Sequence, residues 1–169
     1  EGAFDSLEPW RPPSWNEPDV SDKPAWVRNL AVDSEDIETT DGIRKRGIEA
    51  LLSVDEQIGA LLDLFVELGI DRDTLVLLTS DNGAAWGEHR YFLQAKHCPY
   101  EECMHVPMIV RYPRTIPEKK VIGSVAVLNL DIAPTLAALA GATIPVPIDG
   151  VSFHSWIVGK KSSSACTDF

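Results

Sequence analysis

The strongest constraint on the fold is the run Leu75-Val76-Leu77-Leu78-Thr79, followed by Ser80-Asp81-Asn82-Gly83. An uncharged apolar and β-branched run of this length predicts a strand buried on both faces, as in parallel sheets covered by helices. It ends in Asp81-Asn82-Gly83, where the side chains turn polar and Gly83 permits backbone angles that other residues resist. In open α/β sheets, ligands sit at the carboxyl ends of the strands. A carboxylate on Asp81 and an amide oxygen on Asn82 offer two oxygen donors suited to a hard cation. The same two side chains can equally hydrogen-bond their own backbone, as Asp and Asn do in turns.

Around this strand the chain reads as alternating elements. Ile48, Leu51, Leu52, Ile58, Leu62, Phe65 and Val66 recur at three- and four-residue spacing. That stripe predicts an amphipathic helix from about Thr40, roughly seven turns long. Asp55 lies on the same stripe and is expected to be buried and paired; Gly69 is the expected stop. A second strand is expected at Val106–Tyr112 and a third at Val121–Leu128. Asp131 is placed to cap a helix through Leu139, with Pro134 in its first turn and Gly141 ending it. Val151–Val158 is a short apolar element of either type. Residues 1–30 carry five prolines and three tryptophans, a density that opposes regular structure and suggests a loop pinned by its aromatics. Residues 31–40 are polar and acidic, as in a linker. The expected organisation is therefore a Pro/Trp-rich loop segment over 1–40, an α/β region over 41–158 and a polar tail over 159–169.

Bulk numbers narrow the function classes. A length of 169 residues fits one domain or a piece of a larger one, and 44% hydrophobic residues permit a packed core. Fifteen Lys and Arg against 26 Asp and Glu give a formal charge of −11, which opposes nucleic-acid binding. An anionic substrate stays compatible, because a local lysine or metal outweighs distant charge. No apolar run approaches the roughly 20 residues of a membrane span. The start at Glu1, with no leader pattern, is expected of a processed end or of the interior of a longer chain. Cys98, Cys103 and Cys166 make neither a disulfide framework nor a zinc spacing, so the compartment stays open.

After Asp81-Asn82-Gly83 come Gly87-Glu88-His89-Arg90, Lys96, Tyr100-Glu101-Glu102 and His105-Val106-Pro107. Loops at strand ends with this density of Asp, Asn, His, Arg and Lys are where binding is usually found. The stretch Asp81 to Pro107 resembles the C-terminal half of the catalytic domain of the sulfatase family, within the alkaline-phosphatase-like superfamily. Arg44-Lys45-Arg46 with Leu51-Leu52-Ser53-Val54-Asp55 resembles the family's long preceding helix. Leu128 to Leu136, Ala140-Gly141 and Asp149-Gly150-Val151-Ser152-Phe153 resemble its later motifs, so the likeness covers roughly residues 16–158.

The resemblance implies a partial alkaline-phosphatase-like three-layer sandwich, α/β, with a mostly parallel sheet flanked by helices. It implies that Asp81 and Asn82 ligate a divalent cation, usually calcium, and that Lys96 binds the sulfate of a sulfated sugar or an aryl sulfate. For His89 it implies a substrate contact or a structural bond within the loop. Tyr100 and Glu101 would support the Lys96 loop, and His105 stands where an Arg is more usual. The family's nucleophile is a formylglycine made from the Cys of a Cys-x-Pro-x-Arg motif, and none of the three cysteines fits it. The implied picture is one half of an active site, whose nucleophile and remaining metal ligands lie on an N-terminal half of the catalytic domain. Pro13 to Pro24 is similar to a loop in members acting on N-acetylglucosamine-6-sulfate and related glycan sulfates. A phosphoester or phosphonate hydrolase of the same superfamily, or a binding module that has lost catalysis, fits the same motifs. Without the other half, an open sheet edge and apolar faces would be exposed, with marginal stability or aggregation expected.

Overall fold

The computed structural model describes residues 2–30, 32–93, 95–123 and 125–159. Its elements are α1 (Ala25–Arg28), α2 (Ser34–Glu67), β1 (Val76–Thr79), α3 (Glu101–Met104), β2 (Met108–Arg111), a 3-10 turn (Asn129–Asp131), α4 (Ile132–Ala140) and α5 (His154–Ile157). β1 and β2 pair as a two-stranded sheet, and the architecture is a partial α/β one. The chain forms two compact units, Glu1–Leu68 with Leu78–Ile109, and Gly69–Leu77 with Val110–Phe169.

In the first unit, α2 begins at Ser34, inside the stretch expected to be a linker. Asp33 explains the earlier start: its side chain accepts a hydrogen bond from the Asp36 N–H at 2.9 Å, and Glu35 and Asp36 occupy the first turn. A side-chain cap and early acidic residues satisfy orphan donors and complement the helix dipole. Gly69 follows the helix with a φ of +67°. The apolar stripe is only partly covered: Ile48, Ile58, Leu62 and Phe65 are half-buried, Leu51 and Val66 are each 61% exposed, and Thr40 is the residue that α2 buries. Asp55 is exposed, not buried and paired. The core lies instead among loops, where Val27, Ala85, Tyr91, Cys98 and Cys103 cluster against Ala95 and Tyr100.

The proline-rich segment behaves as its aromatics suggest, with one turn of helix, α1, formed inside it. Trp15 meets Phe92 edge to face at 5.8 Å, and Trp26 meets Tyr91 at 5.5 Å. β1 is partly exposed, Leu78 at 43%, so burial on both faces does not hold for this chain.

In the second unit, the described residues of 121–128 form no strand. Gly141 ends α4 in the left-handed region, as expected. Asp131 does not cap α4 with its side chain. Buried, it accepts from Leu128 N–H at 2.9 Å and from Val151 N–H at 2.7 Å. Beside it, the Thr135 hydroxyl donates to the Asp131 carbonyl at 2.7 Å and accepts from Phe153 N–H at 2.9 Å. The Asp-Gly-Val-Ser-Phe segment is thereby stitched to the start of α4, and Val151–Val158 resolves into a loop plus the single turn α5. The tail expected to be polar lies, beyond Gly159, outside the described residues.

Candidate active-site loops

All four residues singled out as site candidates fall in the first unit. Asp81 and Asn82 follow directly on β1. Asp81 Oδ1 accepts from the Asn82 N–H at 2.8 Å and sits 3.4 Å from the Ser80 hydroxyl, so the turn-type bonding left open by the sequence is present. Asn82 donates its NH2 to the Gly83 carbonyl at 2.8 Å. Its amide oxygen is thereby the end available to a ligand. Both oxygens are hard donors, and that chemistry fits a cation such as calcium. Among the described residues, no three His, Cys, Asp or Glu side chains converge as a metal centre.

Gly83 is required for closeness rather than for backbone angle. Its φ is not among the positive ones, but a Cβ there would collide with the Glu102 carbonyl. The Gly83 N–H instead donates to the Cys103 carbonyl at 2.8 Å, and Ala85 N–H donates to the Ala95 carbonyl at 2.8 Å in an antiparallel bridge. This bridge puts Lys96 one residue beyond the partner of Ala85. Lys96 is exposed.

His89 is held on three sides. Its Nδ1 bonds a Glu17 carboxylate oxygen, and its Nε2 lies 3.6 Å from Glu102 Oε2, an otherwise unpartnered buried oxygen. Its ring stacks on Tyr100 at 3.9 Å between centroids. Glu17 also pairs with Lys23 at 3.3 Å. Asp22 first, then Glu17, raise the Lys23 ammonium above the ordinary lysine range. His89, Arg90 and Leu93 all take positive φ, +52°, +63° and +61°. Such conformations persist only where surrounding contacts over-determine them, as the Arg90 Nε bond to the Glu17 carbonyl (3.1 Å) and the Leu93 N–H bond to Thr40 (2.9 Å) do here.

Four supporting groups escaped the sequence reading. Glu88, 2% exposed, accepts from the Trp10 indole N–H and from Trp86 N–H at 2.6 Å. Glu17 and Glu102 flank His89. Cys98 and Cys103 form a single disulfide with Cα atoms 5.6 Å apart, a pairing that the sequence reading did not single out. No periodicity marks such residues: Glu88 and Glu17 meet partners 78 and 72 positions away, and a spacing of 5 does not by itself mark a disulfide. Glu101 does not brace the Lys96 loop: 84% exposed, it pairs with the equally exposed His105 at 3.2 Å. Tyr100 packs on the rings of His89 and Tyr91.

The helices, the small sheet and the polar loop after its first strand define an α/β protein of the alkaline-phosphatase-like fold. A family model described as Sulfatase matches residues 14–142, and the chain belongs to that family. It is 38% identical over 118 residues to N-acetylglucosamine-6-O-sulfatase of Bacteroides thetaiotaomicron, a match spanning 70% of this chain and 21% of that relative. A solved structure of a protein with its substrate D-glucosamine-2-N,6-O-disulfate aligns at TM-score 0.62 and 35% identity, over 70% of this chain and 23% of the other. The phosphonate monoester hydrolase of Silicibacter pomeroyi aligns at TM-score 0.67 and 26% identity, over 83% of this chain and 26% of its own. The chain thus spans about a fifth of the length of the curated relative it matches. Among the described residues, no helix is long and apolar enough to cross a membrane.

Proposed function

We propose that this chain supplies one side of the active site of a sulfuric ester hydrolase. Asp81 and Asn82 are two of the oxygen ligands of a divalent cation, calcium by family resemblance. A cation bound there supplies charge stabilisation to a nucleophile and to the sulfuryl oxygens. Lys96 faces the sulfuryl group, where its ammonium offsets charge developing as the ester bond breaks. His89 keeps the intervening loop in shape, and its engagement with Glu17, Glu102 and Tyr100 supports that role over a direct substrate contact. The nucleophile, a formylglycine in this family, and the remaining cation ligands come from another part of the complete protein. The Cys98–Cys103 disulfide leaves neither sulfur free for that chemistry.

The observation carrying this reading is the pairing of Ala85 with Ala95 and of Gly83 with Cys103. It runs the backbone that follows Asp81-Asn82 alongside the backbone that carries Lys96, which supports reading them as one site. A sulfated amino sugar is the proposed substrate class, supported by the names of the relatives. Likeness to a phosphonate monoester hydrolase favours one rival, a phosphonate or phosphate ester of similar shape.

The test uses the complete protein that carries this chain. Lys96→Ala is expected to lower kcat/KM for p-nitrophenyl sulfate about 100-fold. Unchanged turnover would remove Lys96 from the site, and preferential hydrolysis of p-nitrophenyl phenylphosphonate would select the rival.

A further inference from the structure

Cys98 and Cys103 are both buried, 8% and 4% exposed, and lie five positions apart in sequence. Their bond closes a small ring containing Pro99, Tyr100, Glu101 and Glu102. Closing so short a loop restricts the unfolded chain far less than closing a long one. Its main effect is therefore local, and the contacts around the ring show where it falls. On the Cys103 side, the Cys103 carbonyl receives the Gly83 N–H at 2.8 Å, directly after Asp81-Asn82. On the Cys98 side, the chain runs back through Lys96 to Ala95, whose carbonyl receives the Ala85 N–H at 2.8 Å. The ring thus meets the Asp81–Ala85 segment directly at its Cys103 end, while its Cys98 end is joined a short way along the chain to Ala95, the partner of Ala85. Within it, Tyr100 stacks on His89.

We propose that the Cys98–Cys103 disulfide is a positioning element that locks Lys96 in register with the Asp81-Asn82 loop, and that a dithiol reductant releases this register. In the release, the Cys98–Cys103 S–S bond breaks and two thiols form. The dithiol supplies both electrons and both protons and is itself oxidised to a cyclic disulfide, so the exchange balances. The inference rests on the reading of Asp81, Asn82 and Lys96 as one site, and its test separates the two.

The full chain is first denatured without reductant and alkylated with N-ethylmaleimide. Neither Cys98 nor Cys103 should take the label; labelling of both would overturn the proposal. Amide hydrogen exchange is then followed by NMR on the folded chain before and after dithiothreitol. Exchange at Gly83 and Ala85 should rise about tenfold or more on reduction, while α4 amides stay unchanged. Unchanged exchange at Gly83 would overturn the clamp. C98S/C103S should resemble the reduced chain, and reoxidation should restore protection in the natural sequence but not in the variant. Finally, inorganic sulfate is titrated against both forms, with the Lys96 amide as reporter. A severalfold weaker response after reduction supports positioning, and an equal response in the two forms refutes it. If sulfate perturbs neither form while exchange still responds to reduction, the sulfate-site reading fails and the clamp survives.

Discussion

Helix α2 and the irregular stretch from Gly83 to Cys103 invert the usual division of labour. The helix is the longest element, 34 residues, and it buries Thr40 alone. The irregular stretch contains no element longer than a turn, and it supplies Ala85, Tyr91, Cys98 and Cys103 to the core. Helical form is specified locally, by hydrogen bonds along the chain and a good cap, with the half-buried stripe adding packing. A fixed loop needs partners at each bend, and here they are carboxylates, aromatic rings and a disulfide. Regularity and rigidity therefore have separate physical origins in this chain.

The most damaging way to break that contrast is Glu88→Ala. It strands the Trp10 indole N–H and the Trp86 N–H without their acceptor. A loss of about 3 kcal/mol is expected from the urea midpoint read by tryptophan fluorescence; a loss under about 0.5 kcal/mol would mean that the loop is not held by side chains.

A smaller effect is expected in acid. Lys45 holds the Asp5 carboxyl below the ordinary aspartate range, Lys23 does the same for Asp22, and the Ser21 N–H for Asp19. Groups depressed in the folded state contribute stability that is full above the unfolded value of about 3.9 and lost as pH falls through the lower folded values. Tryptophan emission from the Pro/Trp segment should therefore change below about pH 4 before far-UV circular dichroism reports loss of α2. Simultaneous loss would show that the segment and the helix melt as one.

The smallest effect belongs to the helix surface. Leu51→Glu with Val66→Glu, both sites 61% exposed, should shift the melting free energy by no more than about 0.5 kcal/mol. Sedimentation should at the same time show less self-association. A large destabilisation would place these side chains against a partner surface within the folded chain.

This contrast also explains what the sequence revealed. β1, β2, the end of α4 and the polar loop after β1 were legible, because each follows from nearest-neighbour chemistry. The family could be read because its motifs stand in order along the chain. Asp131 stands at the N-cap of α4 as expected, but its side chain bonds Leu128 and Val151 instead of the first turn, and the second of these lies 20 residues away. Val121–Leu128 has the composition of a strand, but strand formation needs a neighbouring edge. Asp55 was expected to be buried with its helical stripe, but no residue of that stripe is fully buried, and Leu51, Leu52 and Val66 are exposed. The Glu17 carboxylate beside His89 depends on loops meeting across the fold, 72 positions apart, and the short Cys98–Cys103 spacing alone does not say that the two sulfurs turn toward each other.

The occupied space over Gly83 bears on any attempt to transplant this loop. Its neighbourhood is not self-contained: the Glu102 carbonyl fills the position that a methyl group would take, and the Cys103 carbonyl receives the glycine's proton. Grafting Asp81-Asn82-Gly83 onto another scaffold therefore means carrying the Glu101–Met104 turn along as its template, since either piece moved alone loses the surface that moulds it.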